Sequence, residues 1–118
     1  MQIELKRAYD PPAPGDGRRV LVDRIWPRGV ARDDLRIDAW LKELAPTSGL
    51  RKWFGHAPSK WQEFKERYAR ELDGRPDALA SLFEMAKAGR LTLVFGAKDT
   101  EHNNAAALRE YLERRATR

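Results

Sequence analysis

Two short apolar runs constrain the fold of this chain more than any other feature of its sequence. They are Val20 to Val22 and Leu91 to Phe95, and each is followed at once by polar and charged residues. A strand that is apolar on both faces is covered on both faces, which is typical of parallel sheets between helices. Helical patterns lie between these runs, and such alternation indicates an α/β protein. We therefore predict an α/β fold with a small, three- to four-stranded, largely parallel sheet flanked by helices.

Length and composition limit the class of protein. The length of 118 residues and a hydrophobic fraction of 42% predict one domain over residues 1–118. No cysteine is present, which excludes disulfides, thiolate catalysis and cysteine-ligated metal. The first ten residues are too polar for a signal peptide, and no segment approaches the roughly 18 apolar residues of a membrane span. We expect a cytoplasmic protein that does not enter a membrane.

The charge balance is basic. There are 23 Lys and Arg residues against 18 Asp and Glu residues, which gives a net charge of +5. Such a balance is compatible with phosphate-rich partners. Because the two signs are interspersed along the predicted helices, we interpret most of these charges as solvated surface and a few arginines as part of a site.

The first part of the chain predicts two strands and a turn. Ile3 and Leu5 alternate with polar residues, which predicts a strand of about five residues. A loop rich in proline and glycine follows over residues 10–17, and the second strand is expected over Arg19 to Asp23. After Gly29, the segment VARDDL is expected to form a single helical turn.

The segment after that turn is ambiguous. Residues 35–44 fit either a strand or, with Asp38 as N-cap, a helix. We favour an extended segment that ends at Pro46. Ser48 is then expected to cap a short helix over residues 49–54.

Three longer helices follow. Ser59 and Gln62 have the spacing of a capping box at the start of the first helix, which Gly74 ends. Pro76 begins the second helix, and the third is expected over Asn104 to Arg115. The positions predicted to face inward are Trp61, Phe64, Tyr68, Leu72, Leu79, Leu82, Phe83, Ala86, Ala105, Leu108, Tyr111 and Leu112.

Polar side chains follow both apolar runs, where ligands of open parallel sheets bind. Asp23, Arg24, Trp26 and Arg28 come after the second strand, and residues 96–104 lead from the last strand into a helix N-terminus. If the two strands are parallel neighbours, both groups lie at one edge of the sheet. Helix N–H groups and arginines at that edge would form a pocket for a phosphate or carboxylate.

The candidates for this pocket fall into two groups. The first group binds an anion or forms the pocket walls, and the second consists of acid–base candidates if there is turnover. The predicted ligand-binding residues are Arg24, Trp26, Arg28, Arg51, Trp53, His56, Lys98 and Asn103, and the predicted catalytic residues are Asp23, Asp99 and His102.

Several of these candidates have a structural alternative. Asp23 can instead hold Arg24 or Arg28 in a salt bridge. Asn103 fits a plain helix cap, and Trp26 fits the core or the wall of a pocket.

The sequence also bears on a metal site and on a nucleic-acid-binding site. A metal site from His56, His102 and Asp99 is chemically possible, but no ligand spacing of a known type supports it, so we predict no metal and no cofactor. The segment Leu50 to His56, LRKWFGH, places positive charge beside aromatic residues and can hold nucleic acid by phosphate contact and stacking. Its alternative is an amphipathic turn with Trp53 and Phe54 buried.

Four segments of the chain resemble the YeaO-like family, in the same order and over nearly the whole length. They read GRRVLVDRIWPRG, WLKELAPTSGLRKWFGH, WQEFKERYAREL and LVFGAKDTEHNNAAALREYL. The family is a set of small bacterial proteins classed as a domain of unknown function. The resemblance implies a cytoplasmic α/β protein with no established reaction. The residues that it marks as belonging to its signature segments are Asp23, Arg24, Arg28, Arg51, Trp53, His56, Lys98, Asp99, His102 and Asn103.

The resemblance also implies a departure. Longer relatives in the wider group carry a Cys-His-Arg triplet at the last junction between strand and helix, whereas this chain reads Glu101-His102-Asn103-Asn104 there. Thiol chemistry of that kind is therefore excluded here. The departure favours binding or acid–base chemistry over a covalent route.

The sequence is compatible with three functions. The leading hypothesis is a pocket for a phosphate-bearing small molecule or nucleotide at the carboxyl edge of the sheet. The first alternative is a nucleic-acid-binding module, and the second is an interaction or regulatory protein without turnover.

Overall fold

The structure is a computed structural model, and it describes residues 1–116; Thr117 and Arg118, which the predicted domain includes, lie outside the described residues. Four strands form one sheet in the order β1-β4-β2-β3. The strands are β1 (Ile3–Arg7), β2 (Arg18–Leu21), β3 (Ala39–Trp40) and β4 (Leu91–Phe95). The helices are α1 (Arg32–Leu35), α2 (Ser48–Phe54), α3 (Trp61–Asp73), α4 (Pro76–Ala88) and α5 (Asn104–Ala116).

Every pairing in the sheet is parallel, which confirms the predicted fold class. The central position belongs to β4, where Leu93 lies opposite Leu5 on one side and Val20 on the other. Because β2 and β4 are hydrogen-bonded neighbours, the polar segments that follow them meet at one edge of the sheet. The expected convergence of the two segments is therefore confirmed.

The central strands are buried on both faces. Val20 and Leu93 pack into the large core formed with the longer helices, whereas Leu21 and Val94 pack into a smaller cluster with Leu35 on the other face. All five residues of β4 are buried. This confirms the interpretation of the apolar runs as strands covered on both sides.

The ambiguous segment contains both kinds of structure. Ala39–Trp40 pairs with β2, and Lys42–Leu44 then forms one turn of 3-10 helix. Asp38 is not a helix cap, because its carboxylate accepts the backbone N–H of Arg19 at 2.8 Å. The extended interpretation is confirmed for a strand of two residues only.

The predicted caps of two helices are wrong, although the helices themselves are confirmed. Thr47, not Ser48, caps α2, since its hydroxyl oxygen accepts the Leu50 N–H. The same hydroxyl donates to Glu71 of α3 at 2.6 Å, so this cap also joins two helices. Ser59 lies in a 3-10 turn that precedes α3, and no side chain caps that helix.

Gly17 fixes the start of β2 against β4. Its φ of +66° lies in the left-handed region, and a Cβ atom there would lie 2.2 Å from the Arg90 carbonyl oxygen. The next residue, Arg18, donates its N–H to that same oxygen. Only glycine combines this conformation with so close an approach. Among residues 1–116, no helix is long and apolar enough to cross a membrane.

Candidate functional site

A pocket of about 390 Å³ opens at the carboxyl ends of β2 and β4, and we call it the edge pocket. Its walls come from the segments that follow these strands, from α2 and its preceding turn, from α3 and from the start of α5. Six of the predicted site residues line it: Asp23, Arg24, Arg51, His56, His102 and Asn103.

Asp23 joins three elements at the base of the site. One carboxylate oxygen accepts the N–H of Gly96 at 2.8 Å, and the other accepts the side-chain amide of Asn104 at 3.0 Å. Burial raises the pKa of Asp23, against the opposing effect of these hydrogen bonds and of the charge of Arg51. The alternative of a salt bridge from Asp23 to Arg24 or Arg28 is wrong. Within residues 1–116, neither arginine forms an ion pair with Asp23.

Arg24 has an unusual environment for a partly buried guanidinium. Its Nη2 donates only at long range, to the carbonyl oxygens of Ala45 at 3.4 Å and Pro46 at 3.5 Å. Its Nε is buried and has no hydrogen-bond partner in the part of the chain that the structure describes. Buried polar atoms are nearly always hydrogen-bonded, so an orphaned donor in a pocket wall is an exception that requires an explanation.

The second source of positive charge is α2. Thr47 caps this short helix, and Gly55, with φ of 54°, ends it. Arg51 and Lys52 lie exposed in its last turn and line the edge pocket. Within residues 1–116, neither of them forms an ion pair.

The loop before α5 holds His102 in place. A carboxylate oxygen of Asp99 lies 3.0 Å from Nδ1 of His102, and the other accepts the backbone N–H groups of Glu101 and His102. The backbone N–H bonds, first from His102 and then from Glu101, lower the pKa of Asp99, and contact with the His102 ring lowers it further. The Trp61 ring stands edge-on to the imidazole, with the ring centres 5.3 Å apart. This pairing leaves Nε2 as the nitrogen of His102 that a ligand can meet.

Asn103 is a helix cap. Its Oδ1 accepts the N–H of Ala106 at 2.8 Å, and its Nδ2 donates to the carbonyl oxygen of Asp99 at 2.9 Å. The structural alternative for Asn103 is thus confirmed, although the residue also lines the edge pocket. Its side-chain polar atoms are already satisfied by the backbone around it.

Comparison with known proteins identifies the family. A family model described as "Inactive DUF488-N3 subclade" matches residues 2–118. The uncharacterized protein YeaO of Escherichia coli (strain K12) is 42% identical over 112 residues, which cover 95% of this chain and 97% of YeaO. The chain belongs to the YeaO-like family.

Mycobacterial relatives extend the match over a similar length. The uncharacterized proteins Rv3073c of Mycobacterium tuberculosis (strain H37Rv) and Mb3100c of Mycobacterium bovis are each 39% identical to this YeaO-like chain over 114 residues. These residues cover 97% of the chain and 96% of each relative. No solved structure matches significantly. The family resemblance of the four quoted segments is confirmed.

Five predicted residues of this YeaO-like chain are not among the residues that line the edge pocket: Trp26, Arg28, Trp53, Lys98 and Asp99. Asp99 reaches the site only through its contact with His102. Trp26 packs on the other side of the sheet, with its ring centre 5.4 Å from that of Trp40. Trp53 packs against the large core, and the Arg67 guanidinium lies 4.4 Å from the centre of its ring. Arg28 and Lys98 are exposed and are not among the residues that line the pocket.

The sequence did not mark the other residues of the pocket lining as site residues. The most informative are Phe54 and Phe64, whose rings stack with centres 4.4 Å apart. Their spacing in the sequence signalled only core positions. The other unmarked residues are Ile25, Ala45, Pro46, Lys52, Ala97 and Asn104.

The positions of His, Asp and Glu side chains give no metal centre. Among residues 1–116, no three or more of these side chains are grouped so that they could hold a metal ion. His56, His102 and Asp99 do not form such a group, even though both histidines line the edge pocket.

Proposed function

We propose that this YeaO-like protein binds a small anionic ligand, such as a phosphate-bearing molecule, in the edge pocket without covalent chemistry. The observation that carries the proposal is the Nε of Arg24, a buried donor without a partner in residues 1–116. A phosphate or carboxylate that draws the Arg24 side chain towards the pocket would give this nitrogen a partner and would neutralise the guanidinium.

The charges around Arg24 support an anion rather than a cation. Arg51 and Lys52 line the same pocket and form no ion pair within residues 1–116. The carboxylate in the lining, that of Asp23, is engaged by Gly96 and Asn104. Three cations therefore face one carboxylate, which leaves an excess of positive charge in a concave site.

Binding without covalent catalysis agrees with two further findings. The matching family model is described as inactive, and the chain contains no cysteine that could act as a nucleophile. In this proposal Asp23 organises the site, because both of its oxygens hold the ends of neighbouring elements.

The proposal is tested by titrating inorganic phosphate and pyrophosphate into the wild type and Arg24→Gln, by calorimetry and by thermal shift. We expect Arg24→Gln to weaken binding by about tenfold or more, since it removes a charge-assisted hydrogen bond. Without ligand the variant should be at least as stable as the wild type, because the lost guanidinium has no ion-pair partner in residues 1–116. Arg32→Gln, an exposed position on α1, is the matched control and should bind like the wild type. Equal binding by Arg24→Gln and Arg32→Gln would refute the proposal.

Acid–base turnover in the same pocket is the second candidate, and the contact between Asp99 and His102 favours it. Asp99 fixes Nδ1 of the imidazole, an arrangement that suits a general base. Hydrolysis of phosphate or carboxylate esters that is lost in His102→Gln would support it. Ligand binding without any turnover would leave the binding role alone.

Binding of nucleic acid through the segment Leu50 to His56 has less support. The Trp53 ring that would stack on bases is covered by Arg67, with Lys60 5.1 Å from its centre. A single-stranded oligonucleotide that shifts the melting temperature at low salt, with a shift that fades as salt rises, would favour this alternative over a small ligand.

A further inference from the structure

Most carboxylate and amide atoms in the lining of the edge pocket already have hydrogen-bond partners within the protein. Both oxygens of Asp23 accept hydrogen bonds from the protein, and both polar atoms of Asn103 are used by the α5 cap. The Nδ2 of Asn104 is shared between Asp23 and the carbonyl oxygen of Val22. The lining therefore offers cations and imidazoles to a ligand. Among the described residues that line the pocket, the carboxylate is that of Asp23, and both of its oxygens already accept hydrogen bonds.

One wall of the pocket is apolar. Phe54 and Phe64 are only 5% and 2% exposed, and their stacked rings form part of the lining. Beside them lie Ala45 and Pro46, whose carbonyl oxygens face the Arg24 guanidinium at long range. An apolar wall of this kind favours a ligand with an apolar group, which would cover the wall and remove it from water.

The lip of the pocket is apolar as well. Ile25 lines the edge pocket and is 66% exposed, more than any other large hydrophobic residue in residues 1–116. A single exposed apolar residue is ordinary on a protein surface. At the mouth of a pocket with an aromatic wall, however, it extends the surface that an apolar ligand would cover.

The volume agrees with a ligand of one ring. A cavity of about 150 Å³ accommodates benzene. The edge pocket measures about 390 Å³, which leaves room for an anionic group beside one ring.

We propose that the ligand is a small organic acid anion, with one phosphate or carboxylate head and a compact aromatic or branched apolar body. The head meets Arg24, and the body lies against Phe54, Phe64 and Ile25. This inference rests on the proposed anion-binding function, and it separates the ligand from sugar phosphates and nucleotides.

A matched series of phosphates tests the inference: methyl phosphate, phenyl phosphate and glucose 6-phosphate, titrated calorimetrically into the wild type. We expect phenyl phosphate to bind at least about tenfold more tightly than methyl phosphate, which corresponds to about 1.4 kcal/mol. Glucose 6-phosphate should bind no more tightly than methyl phosphate. Because Ile25 is exposed, Ile25→Ser should fold normally and reduce the preference for the phenyl group by about threefold. Ile25→Leu is the matched control and should retain the preference.

The outcomes separate this inference from the proposed function. Equal affinity for all three phosphates, with binding lost in Arg24→Gln, would overturn the apolar ligand class and leave the anion site standing. Tighter binding of glucose 6-phosphate would also overturn the inference. Absence of binding by all three phosphates would refute both. An unchanged phenyl preference in Ile25→Ser would overturn the assignment of Ile25 to the ligand-contacting wall.

Discussion

His56 has a left-handed backbone at the wall of the edge pocket. Its φ is 58°, and Arg36, with φ of 49°, is the other non-glycine residue with positive φ in residues 1–116. The His56 side chain is exposed, and its ring centre lies 6.3 Å from that of Phe54. Strained backbone at a pocket is typical of residues retained for function. We therefore predict that His56→Gly stabilises the fold and weakens anion binding together.

The magnitude follows from two opposing effects. An L-residue in the left-handed conformation costs roughly 1–2 kcal/mol, which glycine removes. Glycine in turn loses more chain entropy on folding, by roughly 0.5–1 kcal/mol relative to alanine. The net gain in the free energy of unfolding is about 0.5–1 kcal/mol, which should raise the melting temperature by about 2–4 °C.

The assay pairs His56→Gly with Arg36→Gly, and both are compared with the wild type by thermal unfolding and by phosphate titration. Arg36 does not line the edge pocket, so Arg36→Gly should gain similar stability with unchanged affinity. If neither variant is stabilised, the reasoning from backbone strain is refuted. If His56→Gly is stabilised but binds phosphate like the wild type, His56 has no part in the site.

Three further predictions concern the scaffold. Gly17→Ala should destabilise the protein by about 3 kcal/mol or more, because a Cβ would lie 2.2 Å from the Arg90 carbonyl oxygen. Gly29 has a φ of +80°, but a Cβ atom there would meet no other atom within 4 Å, so Gly29→Ala should cost only about 1 kcal/mol. Urea unfolding compares the stabilities of the two glycine variants. Thr47→Ala should cost about 1–2 kcal/mol and Ser48→Ala almost nothing by the same measurement, since Thr47 is the cap of α2. Burial raises the pKa of Asp23 above its usual 3.8, so the native state binds the carboxyl proton more readily than the unfolded state does. The contribution of Asp23 to the free energy of unfolding therefore becomes more favourable as pH falls from neutral through the raised pKa towards 3.8. Urea unfolding between pH 7 and pH 4 should show that the free energy of unfolding of the wild type rises relative to that of Asp23→Asn as pH falls. A difference between the two proteins that does not change with pH would contradict this.

The sheet, and the edge of the sheet at which the pocket opens, could be predicted because they depend on local pattern. Apolar residues on both faces of Val20 to Val22 and of Leu91 to Phe95 require cover on both sides, which only a sheet between layers provides. Once both runs are strands of one parallel sheet, their carboxyl ends share an edge. No knowledge of the side-chain contacts is needed for that step.

The position of α2 could not be predicted in this way. Its contribution to the pocket depends on contacts between residues far apart in sequence, such as the bonds from Thr47 to Glu71 and from the Tyr68 hydroxyl to the Leu44 carbonyl oxygen. A short helix with two buried residues carries too little periodicity to indicate which neighbour it packs against. Arg51 and His56 were therefore predicted as site residues without a predicted place in the site.

The direction in which a side chain points also cannot be predicted from the sequence beyond the end of a strand. Val20 and Val22 face the large core and Leu21 faces the smaller cluster, as strand alternation requires. Beyond Leu21 the chain leaves the strand, and Arg24 lines the edge pocket whereas Trp26 packs beneath the other face. Proximity in sequence to Asp23 therefore did not bring Trp26 or Arg28 into the pocket.

The distinction that decides between catalysis and binding is whether a polar group already has a partner. Asp23 and Asp99 are acid–base candidates and Asn103 is a ligand-binding candidate in the sequence, yet each is hydrogen-bonded to the protein around it. Arg24 was predicted as a ligand-binding residue with a structural salt bridge to Asp23 as the alternative, and its Nε has no partner in residues 1–116. Composition and spacing give the same weight to satisfied and unsatisfied groups, because the partners are supplied by tertiary structure. The unsatisfied groups of the edge pocket are mainly cations beside an apolar wall, and this favours a bound organic anion over a reaction.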